Sequence, residues 1–132
     1  MSIQEYKYVK CTHKQVVDCI KWCQNIFNMR DWEIEVDTYK DPPSIFKEDN
    51  TEGDIARTNV RKDYLKATIW IPIDIHKTKN ANVLQSVIHE FVHIVTLGMT
   101  SIDVDDSETL SYRLEAPLYR LYCYENKVKL IV

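Results

Sequence analysis

The chain has 132 residues, 45% of them hydrophobic and 28% charged, with a formal net charge of −3. That is enough apolar material for one buried core and too little chain for two, so a single domain over residues 1–132 is expected. The mild acidity argues against a nucleic-acid partner, and the 2 glycines exclude Gly-rich phosphate loops, which need several glycines close together.

Met1 to Lys10 mixes charges with aromatics and has no apolar stretch of the secretory kind. No run reaches the roughly 18 apolar residues of a membrane span, so a cytoplasmic protein without membrane association is expected. Cys11, Cys19, Cys23 and Cys123 include no CxxC pair. They read as free thiols of a reducing compartment rather than an all-cysteine zinc site.

Thr12 to Asn28 reads as a helix, with Thr12 able to cap it and Val16, Cys19, Ile20, Cys23 and Phe27 on one face. Trp32, Ile34 and Val36 then alternate with Glu33, Glu35 and Asp37, the pattern of a half-buried strand with a wet face. Lys40 to Gly53 is a loop punctuated by Pro42-Pro43. A short strand follows around Ile55 to Arg61, and a stronger one over Tyr64 to Ile73, with Leu65, Ala67, Ile69, Ile71 and Ile73 on one face. Pro72 lacks an amide donor, which predicts that this strand lies at or near a sheet edge.

Asn80 to Leu97 is the longest helical pattern, and Gly98 is the natural residue to stop it. Met99 to Asp106 reads as an acidic loop. Ser107 to Asn126 is helical again, with Pro117 restarting or kinking the helix. Lys127 to Val132 is an apolar, β-prone tail, suited to a closing edge strand. The fold class is therefore α+β: a small twisted sheet of about three or four strands packed on a helix pair.

The long helix contains His89-Glu90-Phe91-Val92-His93, an HExxH motif. Histidines at i and i+4 stand one turn apart on the same face, so both imidazoles can reach one metal ion, for which zinc is the natural choice. Glu90 is turned about 100° from His89, which aims it beside the metal as a general base toward a water whose pKa zinc lowers to about 7. The helical wheel supports a site. Val83, Leu84, Val87, Ile88, Phe91, Val92, Ile94 and Val95 cover one broad side, and Asn82, Gln85, Ser86, His89, Glu90, His93 and Thr96 form a narrower polar stripe. A plain surface helix would carry more Lys and Glu on that stripe.

A catalytic zinc needs a third protein ligand and an open position. Thr96 and Met99 occupy the places of the glycine and histidine in an extended His-x-x-Gly-x-x-His pattern, so a downstream carboxylate is expected. The choices are Glu108, Glu115 and the aspartates Asp103, Asp105 and Asp106. If the next helix starts near Ser107 and returns antiparallel, Glu115 lies level with the histidines and Glu108 near the far end of the motif helix. Glu115 is favoured on that count, with Glu108 second.

With these features the chain resembles the small gluzincin-type metallopeptidases, compact HExxH…Glu proteins often found in phages and prophages, which share a minimal zincin domain with the ImmA/IrrE type. The resemblance rests on the helix leading into Trp32-Glu33-Ile34-Glu35-Val36, on Lys66-Ala67-Thr68-Ile69-Trp70-Ile71 before the motif helix, and on His89-Glu90-Phe91-Val92-His93 followed by Glu115. It spans about residues 12 to 126. It implies a zinc-dependent endopeptidase holding one zinc ion, acting on peptide or protein substrates in a cytoplasm, that of a host cell if phage-encoded. It also implies that Thr68, Ile69, Trp70 and Ile71 form an edge strand that binds substrate main chain by strand addition, and it allows a terminal segment such as Lys127 to Val132 to lie in the cleft and hold the enzyme latent. A tyrosine or histidine would stabilise the oxyanion, with Tyr112, Tyr119 and His76 as choices. Two other readings compete: a non-catalytic zinc domain that binds a protein partner, and a DNA-associated SprT-like zincin, which the net charge of −3 disfavours.

Overall fold

In the computed structural model, which describes residues 13–39, 56–72 and 83–128, the first helix, α1, runs His13–Ile26. Val16, Cys19, Ile20 and Cys23 recur at spacings of three and four and are buried, as the periodicity predicts. Thr12, the expected cap, and Cys11 lie outside the described residues. The helix gives way where Asn28 adopts the left-handed conformation, φ 56°, which asparagine tolerates. Gln24 Nε2 then donates to the carbonyls of Met29 (3.0 Å) and Trp32 (2.8 Å), tying the turn to the helix.

Three strands follow: β1, Glu33–Tyr39; β2, Arg57–Arg61; and β3, Lys66–Pro72. Their order is β1-β3-β2, with β1 parallel and β2 antiparallel to β3. The expected edge position of β3 is thus corrected: β3 is the central strand. Pro72 is tolerated because it is the last residue of the strand, where a missing amide removes no interior ladder bond. The same topology removes Thr68–Ile71 as a substrate-binding edge. Thr68 is opposite Glu35 on one side and Asn59 on the other, and Ile69 is opposite Val36 and Thr58, so both sides are already paired. Ala67, Ile69 and Ile71 face the core as expected. Leu65 does not join them, because its left-handed backbone, φ 53°, places it in the turn before the strand. Lys40 to Ile55 and Ile73 lie outside the described residues.

Helix α2, Val83–Met99, packs on β2 and β3, and α3, Val104–Asn126, returns along α2. The core is one cluster, in which Phe91, Ile88, Val87 and Ile94 of α2 meet Met29, Trp32 and Ile69. Gly98 does not stop α2, which continues through it to Met99. Its role is steric: a Cβ at residue 98 would lie 2.6 Å from Cη2 of the buried Trp32 ring. Gly98→Ala therefore sets an overpacking cost of about 1–3 kcal/mol against a helix-propensity gain of at most about 1 kcal/mol. The expected result is a lower urea midpoint at unchanged slope; an unchanged or raised midpoint would show that Trp32 yields freely.

Helix α3 begins three residues before the expected Ser107, because Asp103 caps it, accepting from the Asp106 amide at 2.8 Å. Asp105 and Asp106 add favourable negative charge in the first turn. The helix is a single element through Pro117 rather than two. Proline denies the Arg113 carbonyl its donor, but both residues are exposed, so water can replace it. Trp22 on α1 donates from Nε1 to Glu125 on α3 (2.8 Å) and packs edge-on against Tyr122. Cys19, Cys23 and Cys123 are buried free thiols, and the contact with Cys23, together with burial, pushes the Cys19 thiol well above its ordinary range. Of the tail Lys127 to Val132, Lys127 is the left-handed C-cap of α3 and Val128 packs against the core, while residues 129–132, on which the edge-strand and latency expectations turn, lie outside the described residues. Among the described residues, no helix is long and apolar enough to cross a membrane. The architecture is α+β, with three helices and a small mixed sheet among the described residues.

Candidate metal centre

The polar stripe of α2 faces α3 on one side and β2 on the other. His89 Nε2 lies 2.7 Å from Glu108 Oε1, and His93 Nε2 lies 3.4 Å from Glu108 Oε2. One ligand atom from each of these three side chains lies within 4.8 Å of the other two. The imidazoles are steeply inclined, 75° apart, with centroids separated by 5.0 Å. One helical turn supplies that spacing, and the glutamate from α3 closes the third side.

Glu90 is buried beside this group. Its Oε1 accepts a hydrogen bond from Thr58 Oγ1 of β2 at 2.9 Å, and its Oε2 lies 3.8 Å from His89 Nε2. The motif's angular offset thus places the carboxylate next to the imidazole pair, and β2 holds it there.

The structure ranks the carboxylates differently from the helix-rise argument. Glu108 meets both Nε2 atoms, whereas Glu115 lies with Oε2 3.5 Å from His89 Nδ1, on the far side of that ring. The reason is the start of α3. Beginning at Val104 instead of Ser107 moves every α3 residue about 4.5 Å farther along the antiparallel return, which brings Glu108 to the histidines. Asp103 is occupied as the N-cap, and Asp105 and Asp106 are exposed.

Of the tyrosines, Tyr112 is at the rim, 65% exposed, with its ring 4.8 Å from that of His89. Tyr119 is not at the site. It lies two turns, or about 10 Å, farther along α3 and is buried in the core against Cys123. That removes it as an oxyanion stabiliser. His76 lies outside the described residues.

The two imidazoles sit in different electrostatic surroundings. Burial depresses the His93 pKa, and although the Glu108 charge opposes this, the net shift is downward, toward the neutral form that binds metals. Burial also acts on His89, but the Glu115 hydrogen bond and the charges of Glu90, Glu115 and Glu108 outweigh it and raise the pKa above its ordinary value. Two imidazole nitrogens and one carboxylate, with one histidine biased neutral, form a donor set suited to a zinc-like divalent ion.

Sequence reasoning missed two residues here. Thr58 belongs to a strand remote in sequence, and nothing local marks it as a partner of Glu90. Ser107, wholly buried, lies 2.7 Å from His93 Nδ1. Its only signal was a place at the expected helix start. No protein-family model, no curated protein and no solved structure matches this chain.

Proposed function

We propose that this protein is a zinc-dependent metallopeptidase of the gluzincin-like kind, with His89, His93 and Glu108 as metal ligands and Glu90 as general base. The observation that carries the proposal is the convergence of two Nε2 atoms and one carboxylate within 4.8 Å, with the Glu90 carboxylate alongside. The HExxH spacing alone accounts for the histidine pair; the glutamate arriving from a second helix supports a three-ligand site with room for substrate.

A zinc ion held there would supply Lewis-acid polarisation of a peptide carbonyl and acidify water. Glu90 supplies the proton path. With Oε1 engaged by Thr58, Oε2 takes a proton from the attacking water and returns it to the departing amide nitrogen, so that one carboxyl and one amine leave. Thr58 fixes the carboxylate plane, a positioning role. The Tyr112 ring stands beside that of His89 at the rim, which supports this tyrosine as the donor to a developing oxyanion. Among the described residues β2 pairs only with β3, so its outer side, next to Thr58, is where an extended peptide would add as a strand.

Zinc content by mass spectrometry and hydrolysis of an unfolded protein substrate such as casein test the proposal together. The expected result is one zinc per chain and cleavage that a chelator abolishes and added zinc restores. Full zinc occupancy without turnover would favour a metal-stabilised partner-binding domain, whose melting temperature falls with chelator. Absence of zinc would defeat both.

A further inference from the structure

The hydroxyls behind His93 have a direction. Thr96 Oγ1 lies 2.9 Å from the Val92 carbonyl and 3.3 Å from that of His93, and carbonyls only accept, so its single proton points there. Ser107 Oγ is 2.6 Å from Thr96 Oγ1 and 2.7 Å from His93 Nδ1. With the Thr96 proton committed, the Ser107 proton goes to Thr96. What remains on Ser107 is a lone pair facing His93. All three side chains are buried, and Ser107 is wholly inaccessible, so no bulk solvent can rearrange the chain.

We propose that Thr96 and Ser107 form a positioning pair that holds the His93 proton on Nδ1 and turns the Nε2 lone pair toward the metal site. The inference rests on the proposed metal site and assigns two residues to it. Glu108 pulls the other way, drawing a proton to Nε2, but at 3.4 Å, against 2.7 Å for the contact with Ser107. Glu108 is also engaged by His89 Nε2 at 2.7 Å, so its hold on a His93 proton is the weaker of the two. The two ligand histidines are then backed unequally. His89 has a carboxylate, Glu115, beside its Nδ1, while among the described residues His93 Nδ1 meets a neutral hydroxyl chain. A carboxylate partner raises ligand basicity more than a hydroxyl does, so His93 is the weaker donor of the pair.

The test reads the ring nitrogens of His93 by long-range nitrogen–proton NMR in metal-free protein at pH 8. Zinc affinity is measured alongside by competition with a chromophoric chelator. The expected wild-type ring is Nδ1–H. Thr96→Val removes the acceptor for the Ser107 proton and lets serine donate to Nδ1, so the ring shifts toward Nε2–H and zinc binds about 10–100-fold more weakly. Thr96→Ser keeps the hydroxyl and restores both readouts. An Nε2–H ring in the wild type, or a Thr96→Val protein that binds zinc as tightly as the wild type, overturns the inference. Should Thr96→Val not fold, the wild-type tautomer alone decides. If the wild type takes up no zinc, the metallopeptidase reading falls, while the ring state of the metal-free protein still settles this pair.

Discussion

Replacing Glu90 by glutamine is expected to lower kcat/KM for peptide hydrolysis by about 10²–10⁴-fold while leaving zinc stoichiometry unchanged. The substitution keeps size and the acceptor for the Thr58 hydroxyl, so the buried contact at 2.9 Å survives. It removes only the ability to take and return a proton. The loss should therefore fall on kcat rather than on metal content or melting temperature. Thr58→Val is the companion variant. It leaves the base in place but frees its orientation, and its effect should be smaller than that of Glu90→Gln. Equal turnover by wild type and Glu90→Gln, both zinc-loaded, would remove this residue from the mechanism.

Glu108→Ala and Glu115→Ala should separate a ligand from a residue standing behind one. Glu115 meets His89 on its Nδ1 side, so its loss is expected to weaken zinc by about 10–100-fold, the usual consequence of removing an outer hydrogen-bond partner. Glu108 reaches both Nε2 atoms, so its loss should exceed that range. Competition titration against a chelator of known affinity reads both. The reverse ranking would reassign the third ligand to Glu115 and return Glu108, whose side chain is 45% exposed, to an ordinary position in the second turn of α3.

Much of the helical part of the molecule was legible in the sequence. The buried face of α1 and the split of α2 into a broad apolar side and a polar stripe both follow from spacing alone, because helical periodicity records which side meets the core. What spacing does not record is which strand pairs with which. β3 looked like an edge because of Pro72, yet strand order depends on where β2 comes to lie, and the pattern within β3 cannot express that. Gly98 shows the same limit. As a helix stop it was a local inference; as clearance for Trp32 it depends on a residue far away in sequence. The ranking of Glu108 over Glu115 turned on a still smaller matter. Whether α3 begins at Val104, capped by Asp103, or at Ser107 moves it by nearly one turn.

The bond that holds Glu90 spans 32 residues of chain, whereas the one behind His93 spans 14. The His89, His93 and Glu108 cluster is built from a helical hairpin whose two arms are neighbours in sequence, and such local contacts carry the smaller loop-closure cost. The Glu90 carboxylate is held by a strand that must first find its place in the sheet. If the helical hairpin forms before the sheet docks, the proposed ligands would meet before the proposed base is held. A partly folded copy would then be able to bind metal without being armed to cut its neighbours.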